Sequence, residues 1–255
     1  MRRLDGGCCD LIYADPPFGH KRSVKNGVTV SGEPRRQTVA EGAGRLTSFL
    51  RPRLIEMRRL LSTRGVLCVH LDWHEVHYVK VLLDELFGAD HFLNEIIWSY
   101  RSGGRPARWL ARKHDTILVY ARRAGHHTFN RLHDGTYRTR DLKMTDDGIP
   151  YKSARRGRVL FHPEGPALSD VWEIPILSTV SKERVGRADQ KPEALLERLI
   201  RTWSNANDQV ADFFCGSGTT LVVAQRLGRR WIGCDLDPAA VTTTRRRLDA
   251  VVSSI

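Results

Sequence analysis

Cysteine is scarce in this 255-residue chain, and its few copies form no familiar site. The five cysteines are odd in number and include no Cys-x-x-Cys pair, which argues against a disulfide framework and a zinc ribbon. Long apolar runs are also missing, and the N-terminus lacks the apolar core of a secretion signal. These absences predict a cytoplasmic protein without a membrane span.

One group of side chains nevertheless has the composition of a metal site: His70, Asp72, His74 and His77. In a helix that begins near Asp72, His74 and His77 would share a face because they are three residues apart. No fourth ligand is evident, and Asp72 would serve equally well as a helix cap. We therefore expect no bound metal.

Basic residues, by contrast, are abundant. The net charge of +12 favours a polyanionic partner. Residues 101–160 contain fifteen Lys or Arg against five Asp, so most of the excess lies in one contiguous stretch. A surplus this localised predicts a binding face rather than a merely solvated surface.

Short apolar runs alternate with segments of helical periodicity. Strands are predicted at 11–14, 66–71, 95–100, 116–121, 209–214 and 230–235, and helices at 46–61, 74–87, 191–203, 218–227 and 238–251. The first helix is expected to bend at Pro52 and to be stopped by Gly65. This alternation predicts an α/β fold with a doubly wound, mostly parallel sheet, whose ligands lie beyond the carboxyl ends of the strands.

The polar, turn-rich residues 122–181 interrupt that pattern. They are expected to form an irregular basic insertion outside the core sheet. Residues 1–121 and 182–255 then make up the main domain.

Residues 212–220 read Asp-Phe-Phe-Cys-Gly-Ser-Gly-Thr-Thr, between a predicted strand and a predicted helix. Gly216 and Gly218 would let the backbone approach a ligand closely, and the helix N-terminus offers free N–H donors. Asp235, at the end of the next strand, suits a ribose with two hydroxyls. A nicotinamide dinucleotide is the rival ligand, but the third glycine of its fingerprint would fall at Leu221. A tight turn without a ligand is the plainer alternative.

Asp15, Pro16, Pro17 and Phe18 form the second motif, directly after the first predicted strand. A stiff turn holds a carboxylate, a proline carbonyl and an aromatic face together. Two acceptors suit the two hydrogens of an exocyclic amine, and the ring suits a flat base. The combination would direct the lone pair of the amine toward an electrophile; the alternative is an ordinary Pro-Pro turn with an exposed acid.

Together with Gln190-Lys191-Pro192, these two motifs resemble the DNA amino-methyltransferase family. Residues 94–100, 113–120 and 170–175 resemble the same family, so the likeness covers nearly the whole chain. The catalytic motif precedes the cofactor motif, which resembles the circularly permuted β group with its Rossmann-like methyltransferase fold.

The resemblance implies S-adenosylmethionine as cofactor and a role for each motif. Asp15 and the carbonyl of Pro16 would accept hydrogen bonds from the target amine, in a catalytic turn that includes Pro17, and Phe18 would stack on the base. The implied cofactor-binding residues are Asp212, Phe213, Phe214, Cys215, Gly216, Ser217, Gly218, Thr219, Thr220, Asp235 and Lys191.

Double-stranded DNA is the implied substrate, and its target base must leave the duplex. The residues expected to bind DNA are Arg101, Arg105, Arg108, Arg112 and Lys113, while residues 122–181 are expected to read bases. Adenine N6 is the expected target, because the cytosine-N4 group more often carries Ser at the position of Asp15. A catalytically weak DNA-binding remnant is the alternative from another class. A cognate restriction endonuclease and a second copy of the chain are candidate partners.

Members of this group normally begin with a further strand that ends in Gly-Asp, whose acid contacts the cofactor's adenine. This chain opens at Met1-Arg-Arg-Leu, within the helix that follows such a strand. We therefore expect one edge strand to be missing beside the strand that ends at Asp235, either because the true start lies upstream or because the protein is truncated.

Overall fold

The computed structural model describes residues 1–17, 24–25, 28–29, 39–101, 104, 106–137, 139–187 and 189–252. Its strands are β1 (Cys9–Ala14), β2 (Val24–Lys25), β3 (Val28–Thr29), β4 (Leu61–Leu71), β5 (Phe92–Ser99), β6 (His114–Ala121), β7 (Lys143–Met144), β8 (Pro150–Ala154), β9 (Gly157–Leu160), β10 (Val171–Glu173), β11 (Gln209–Asp212) and β12 (Arg230–Gly233). Its α-helices are α1 (Val39–Leu60), α2 (Val76–Phe87), α3 (Glu193–Trp203), α4 (Thr219–Arg226) and α5 (Pro238–Val252).

Seven strands form the central sheet in the order β10-β5-β6-β4-β1-β11-β12. All neighbours are parallel except at β6, which runs antiparallel to both β4 and β5. Alternate residues of β1 enter the two cores: Ile12 packs with residues of α1 and α2, while Leu11 and Tyr13 pack with residues of α3. This period of two is the signature of a strand covered on both faces. The predicted mostly parallel, doubly wound sheet is confirmed.

The junction between α1 and β4 differs from the sequence prediction. The helix ends at Leu60, and Gly65 lies inside the strand rather than stopping the helix. Register shifts between β1 and β4 here, because Cys9 pairs with Leu61 but Leu11 pairs with Val66. A Cβ on Gly65 would lie 3.0 Å from the carbonyl oxygen of Cys9. Gly65 therefore allows β1 and β4 to approach each other closely where their register shifts.

The expected insertion contributes to the core sheet at one point. Within residues 122–181, β7, β8 and β9 form a separate three-stranded sheet. However, β10 pairs in parallel with β5, and its Trp172 is buried in the core formed with α3. The expectation that this whole stretch lies outside the core sheet is therefore wrong for Val171–Glu173. Across the described ranges, no helix is long and apolar enough to cross a membrane.

Candidate active site

Three loops converge where parallel strands β1, β11 and β12 end. They carry Asp15, the segment after Asp212, and Asp235, and with the residues before α3 they border a cavity of about 790 Å³. Its lining includes Asp15, Pro16, Pro17, Lys191, Asp212, Phe213, Phe214, Cys215, Gly216, Ser217, Thr219, Thr220 and Asp235. The structure thus brings the two predicted motifs, which are almost 200 residues apart, to one site.

The Asp15 turn leaves the sheet with its carboxylate nearly buried. The Oδ2 atom of Asp15 accepts a hydrogen bond from Lys191 Nζ at 2.5 Å, and the two side chains are only 16% and 12% exposed. Pro16 is buried and Pro17 is exposed. Phe18, the expected stacking residue, lies outside the described residues.

The loop between β11 and α4 depends on glycine conformation. Gly218 has φ +76°, and a Cβ at this position would lie 2.6 Å from the Thr244 side chain. Gly216, at φ +49°, donates its backbone N–H to Asp235 Oδ2 at 2.8 Å. The positive φ of both glycines and the tight packing of Gly218 against Thr244 of α5 set the shape of the loop, and Asp235 holds it in place. Close approach of a ligand to these glycines stays a prediction.

Asp212 is a buried acid at the base of this loop, 2% exposed. Its Oδ1 accepts the backbone N–H of Phe214 at 3.0 Å, and its Oδ2 accepts the Thr220 hydroxyl at 2.6 Å. Burial raises the pKa of Asp212 to about 7; these hydrogen bonds oppose the rise, whereas the nearby charges of Asp15 and Asp235 add to it. Four acidic residues, Asp15, Asp189, Asp212 and Asp235, therefore border the cavity together with the cations Arg53, Arg187 and Lys191.

A buried polar network lies on the strands beside Asp15. Tyr13 Oη is 2.7 Å from His70 Nδ1, and His70 Nε2 is 3.2 Å from Asp115 Oδ2. The other oxygen of Asp115 accepts the Tyr100 hydroxyl at 3.2 Å. Burial and the charge of Asp15 raise the pKa of Tyr13 well above its ordinary value. Burial also favours the neutral form of Asp115, but hydrogen bonding and charge from His70 outweigh it and lower the pKa of Asp115.

This network accounts for His70 without a metal. Asp72 accepts both the backbone N–H and the ring of His74, at 2.9 and 2.8 Å, and so closes the turn before α2. No group of three or more His, Cys, Asp or Glu side chains in the described parts of the chain has the arrangement of a metal site. Sequence reasoning missed the Tyr13–His70 pair, although a lone histidine inside an apolar strand was its signal.

Four of the residues expected to bind DNA, Arg101, Arg108, Arg112 and Lys113, lie near the same edge of the sheet. Strand β6 begins there because it is antiparallel to β4, so Lys113 is close to the end of β5 and donates to Arg101 O at 2.9 Å. The Arg101 side chain pairs with Glu173 and is exposed, as is Arg108. Arg105 lies outside the described residues.

Aromatic side chains accompany these cations. The guanidinium of Arg112 lies 3.5 Å from the ring centre of Trp73 and 5.8 Å from that of Trp109. Trp109 is 60% exposed and Leu110 is 91% exposed. The exposed ring of Trp109 beside the Arg112 cation is thus available at the surface of the protein.

Comparison with known proteins agrees with this geometry. A family model described as DNA methylase, of the N6 and N4 type, matches residues 9–246. The type II methyltransferase M.HpaI of Haemophilus parainfluenzae is 28% identical over 250 residues, covering 98% of this chain and 71% of that protein. The DNA adenine methyltransferase YhdJ of Escherichia coli strain K12 is 26% identical over 256 residues, covering 98% and 79%.

Solved structures extend the likeness to the fold. The M1.HpyAVI–SAM complex superposes with a TM-score of 0.62 at 19% identity, covering 97% of this chain and 91% of that one. A single family model spans the strand before the Asp15 turn, the glycine loop and Asp235. The chain therefore belongs to the N6/N4 DNA methylase family.

Proposed function

We propose that this chain transfers a methyl group from S-adenosylmethionine to the N6 amine of adenine in double-stranded DNA. The observation that carries the proposal is the single cavity shared by the Asp15 turn and the glycine loop after Asp212. The Escherichia coli relative is named an adenine methyltransferase, and M1.HpyAVI was solved with S-adenosylmethionine. Both names support the proposal.

The residues around the cavity fit this cofactor. S-adenosylmethionine carries a sulfonium and an ammonium, and the carboxyl groups of Asp212 and Asp235 border the cavity, whereas that of Asp15 is paired with Lys191. The backbone of Gly216 lines the cavity and would contact the methionine portion, while Gly218 forms the turn that packs against Thr244. Asp235 also lines the cavity and would accept hydrogen bonds from the ribose hydroxyls. When bound, the cofactor supplies an electrophilic methyl group on sulfur.

The chain's own contribution is to orient the amine. The carboxylate of Asp15 and the carbonyl of Pro16 accept the two amine hydrogens, which leaves the nitrogen lone pair directed at the methyl group. The buried Pro16 and the adjacent β1 make this turn rigid. Positioning of this kind needs no covalent nucleophile.

The surface formed by Arg101, Arg108, Arg112 and Lys113 would contact phosphates, and residues 122–181 would read bases. The four basic residues lie at the active-site edge of the sheet, whereas residues 122–181 leave β6 at the opposite edge and return to the active-site edge where β10 ends. Exposed Trp109 supplies a ring on which a base can stack. In this proposal the phosphate contacts position the protein on the DNA, and residues 122–181 recognise the base sequence.

Cytosine N4 is the second candidate, because the family includes both amines. The acid at position 15 favours adenine. The test incubates DNA with the protein and S-adenosylmethionine and then measures methylated nucleosides by mass spectrometry, with Asp15→Asn as the matched control. We expect 6-methyladenine from the wild type alone. Methylated cytosine would select the second candidate, and tight cofactor binding without any methylated base would refute both.

A further inference from the structure

Lys191 joins three elements at the active site. Its ammonium contacts Asp15, which follows β1, and its charge helps to lower the pKa of Asp115 on β6. Lys191 itself immediately precedes α3, whose N-cap is Pro192. One cation therefore acts on two acids, and those acids belong to the catalytic turn and to the buried Tyr13–His70–Asp115 network.

The backbone around Lys191 is held on both sides. Gln190 is buried; its Nε2 donates to Glu183 O at 2.6 Å, and its Oε1 accepts the Val185 N–H at 2.9 Å. On the other side, α3 is anchored in the core by Leu195 and Leu199. Because the backbone on both sides is fixed, the Lys191 ammonium is held next to Asp15. It therefore differs from the ammonium of a mobile surface lysine.

We propose that Lys191 is a positioning residue that orients the Asp15 carboxylate for methyl transfer. By binding Oδ2 it leaves Oδ1 to accept the target amine, and it holds the carboxylate against repulsion from Asp212. The inference rests on the proposed function of Asp15. In this proposal Lys191 acts on the amine-binding turn, whereas the sequence analysis expected it to contact the cofactor.

The first test separates cofactor binding from turnover. Lys191→Met is compared with Lys191→Arg and with Lys182→Met, a control at an exposed lysine in the preceding loop. We expect the turnover number of Lys191→Met at saturating substrates to fall by about 100-fold, the scale of a misplacement near 1 Å. Cofactor affinity, measured by calorimetry, should stay within about threefold, and Lys191→Arg should retain turnover within about tenfold because it keeps a cation.

The second test requires no activity. The urea midpoints of the wild type, Lys191→Met, Asp15→Asn and the double variant form a double-mutant cycle. We expect Lys191→Met to lower the midpoint when the Asp15 carboxylate is present, and to lower it much less, or to raise it, in the Asp15→Asn background. Equal shifts in both backgrounds would overturn the proposed pairing. So would a cofactor affinity weakened tenfold or more with turnover preserved.

The two tests also distinguish this inference from the proposed function. A wild type that methylates no DNA but shows coupling in the cycle would refute the proposed function and, with it, the role in methyl transfer. A wild type that methylates DNA but shows additive midpoints would refute the role of Lys191 alone.

Discussion

Replacing the buried Asp212 by Asn should stabilise the protein at alkaline pH while weakening cofactor binding. The pKa of Asp212 is raised from 3.8 to about 7, mainly by burial. An acid with a higher pKa in the folded state binds its proton more tightly there, so stability falls as pH rises from about 4 to about 7. At 1.36 kcal/mol per pH unit, the full loss is about 4 kcal/mol. Asparagine carries no charge and escapes this cost.

The assay is urea unfolding at pH 5, 6, 7 and 8. The difference in the free energy of unfolding between Asp212→Asn and the wild type should grow by about 3 kcal/mol between pH 5 and pH 8. About two pH units of this interval lie below the pKa of Asp212 in the folded protein, where the wild type loses stability as pH rises. Asp90→Asn, at an exposed site, is the control and should show no such trend. An advantage that stays constant with pH would refute the account of Asp212 as a desolvated acid.

Cofactor affinity should move in the opposite direction. A carboxylate facing a cationic ligand contributes about 1.5–3 kcal/mol through a charged hydrogen bond, so Asp212→Asn should weaken binding by roughly 10- to 100-fold. Calorimetry at pH 8 measures this. A gain in stability together with a weaker cofactor affinity would identify Asp212 as an acid retained for binding rather than for folding.

Three further outcomes are expected. Asp15→Ala should abolish methyl transfer and leave cofactor affinity within about threefold, because the side chain belongs to the amine-binding turn; full activity in a radiolabel assay would contradict this. Gly218→Val should lower the melting temperature and cofactor affinity, since its Cβ would meet Thr244 at 2.6 Å and its φ is +76°; wild-type values in both measurements would be inconsistent with the loop geometry. Replacing Arg108 and Arg112 by Gln should reduce the slope of log affinity for DNA against log salt by about 0.9 for each phosphate that is no longer neutralised, and an unchanged slope would place the DNA surface elsewhere.

The loops that meet at the candidate site were easier to predict from the sequence than the ends of the helices and strands. The strand before Asp15 and the glycine turn at Gly218 were evident because Pro-Pro and Gly-x-Gly have strong local preferences. The helix ends at Leu60, close to its predicted end at 61, but Gly65 was wrongly taken as its stop, because a glycine at a strand irregularity has the same local signal as one at a helix end.

Long-range contacts were beyond sequence reasoning. The Lys191–Asp15 ion pair joins residues 176 positions apart, and the His70–Asp115 contact depends on the antiparallel register of β4 with β6. Neither contact can be predicted from local propensity, because each depends on the order of the strands in the sheet. Trp172 was likewise assigned to an insertion because a three-residue edge strand carries too little periodicity to be recognised.

The pairing of β1 with β11 has a consequence for synthesis. Leu11 lies beside Val210 in the finished sheet, so the nascent chain holds one of these partners long before the other is translated. At 5–20 residues per second, the wait for about 200 residues is on the order of 10–40 s. During this wait, the edge of β1 that will pair with β11 has no neighbour, and its unpaired backbone groups can bind other chains. A chaperone that covers this edge would prevent such aggregation. The same delay means that Asp15 comes near Asp212 only after almost 200 further residues have been made, so a nascent chain that lacks them has no assembled site with which to methylate DNA.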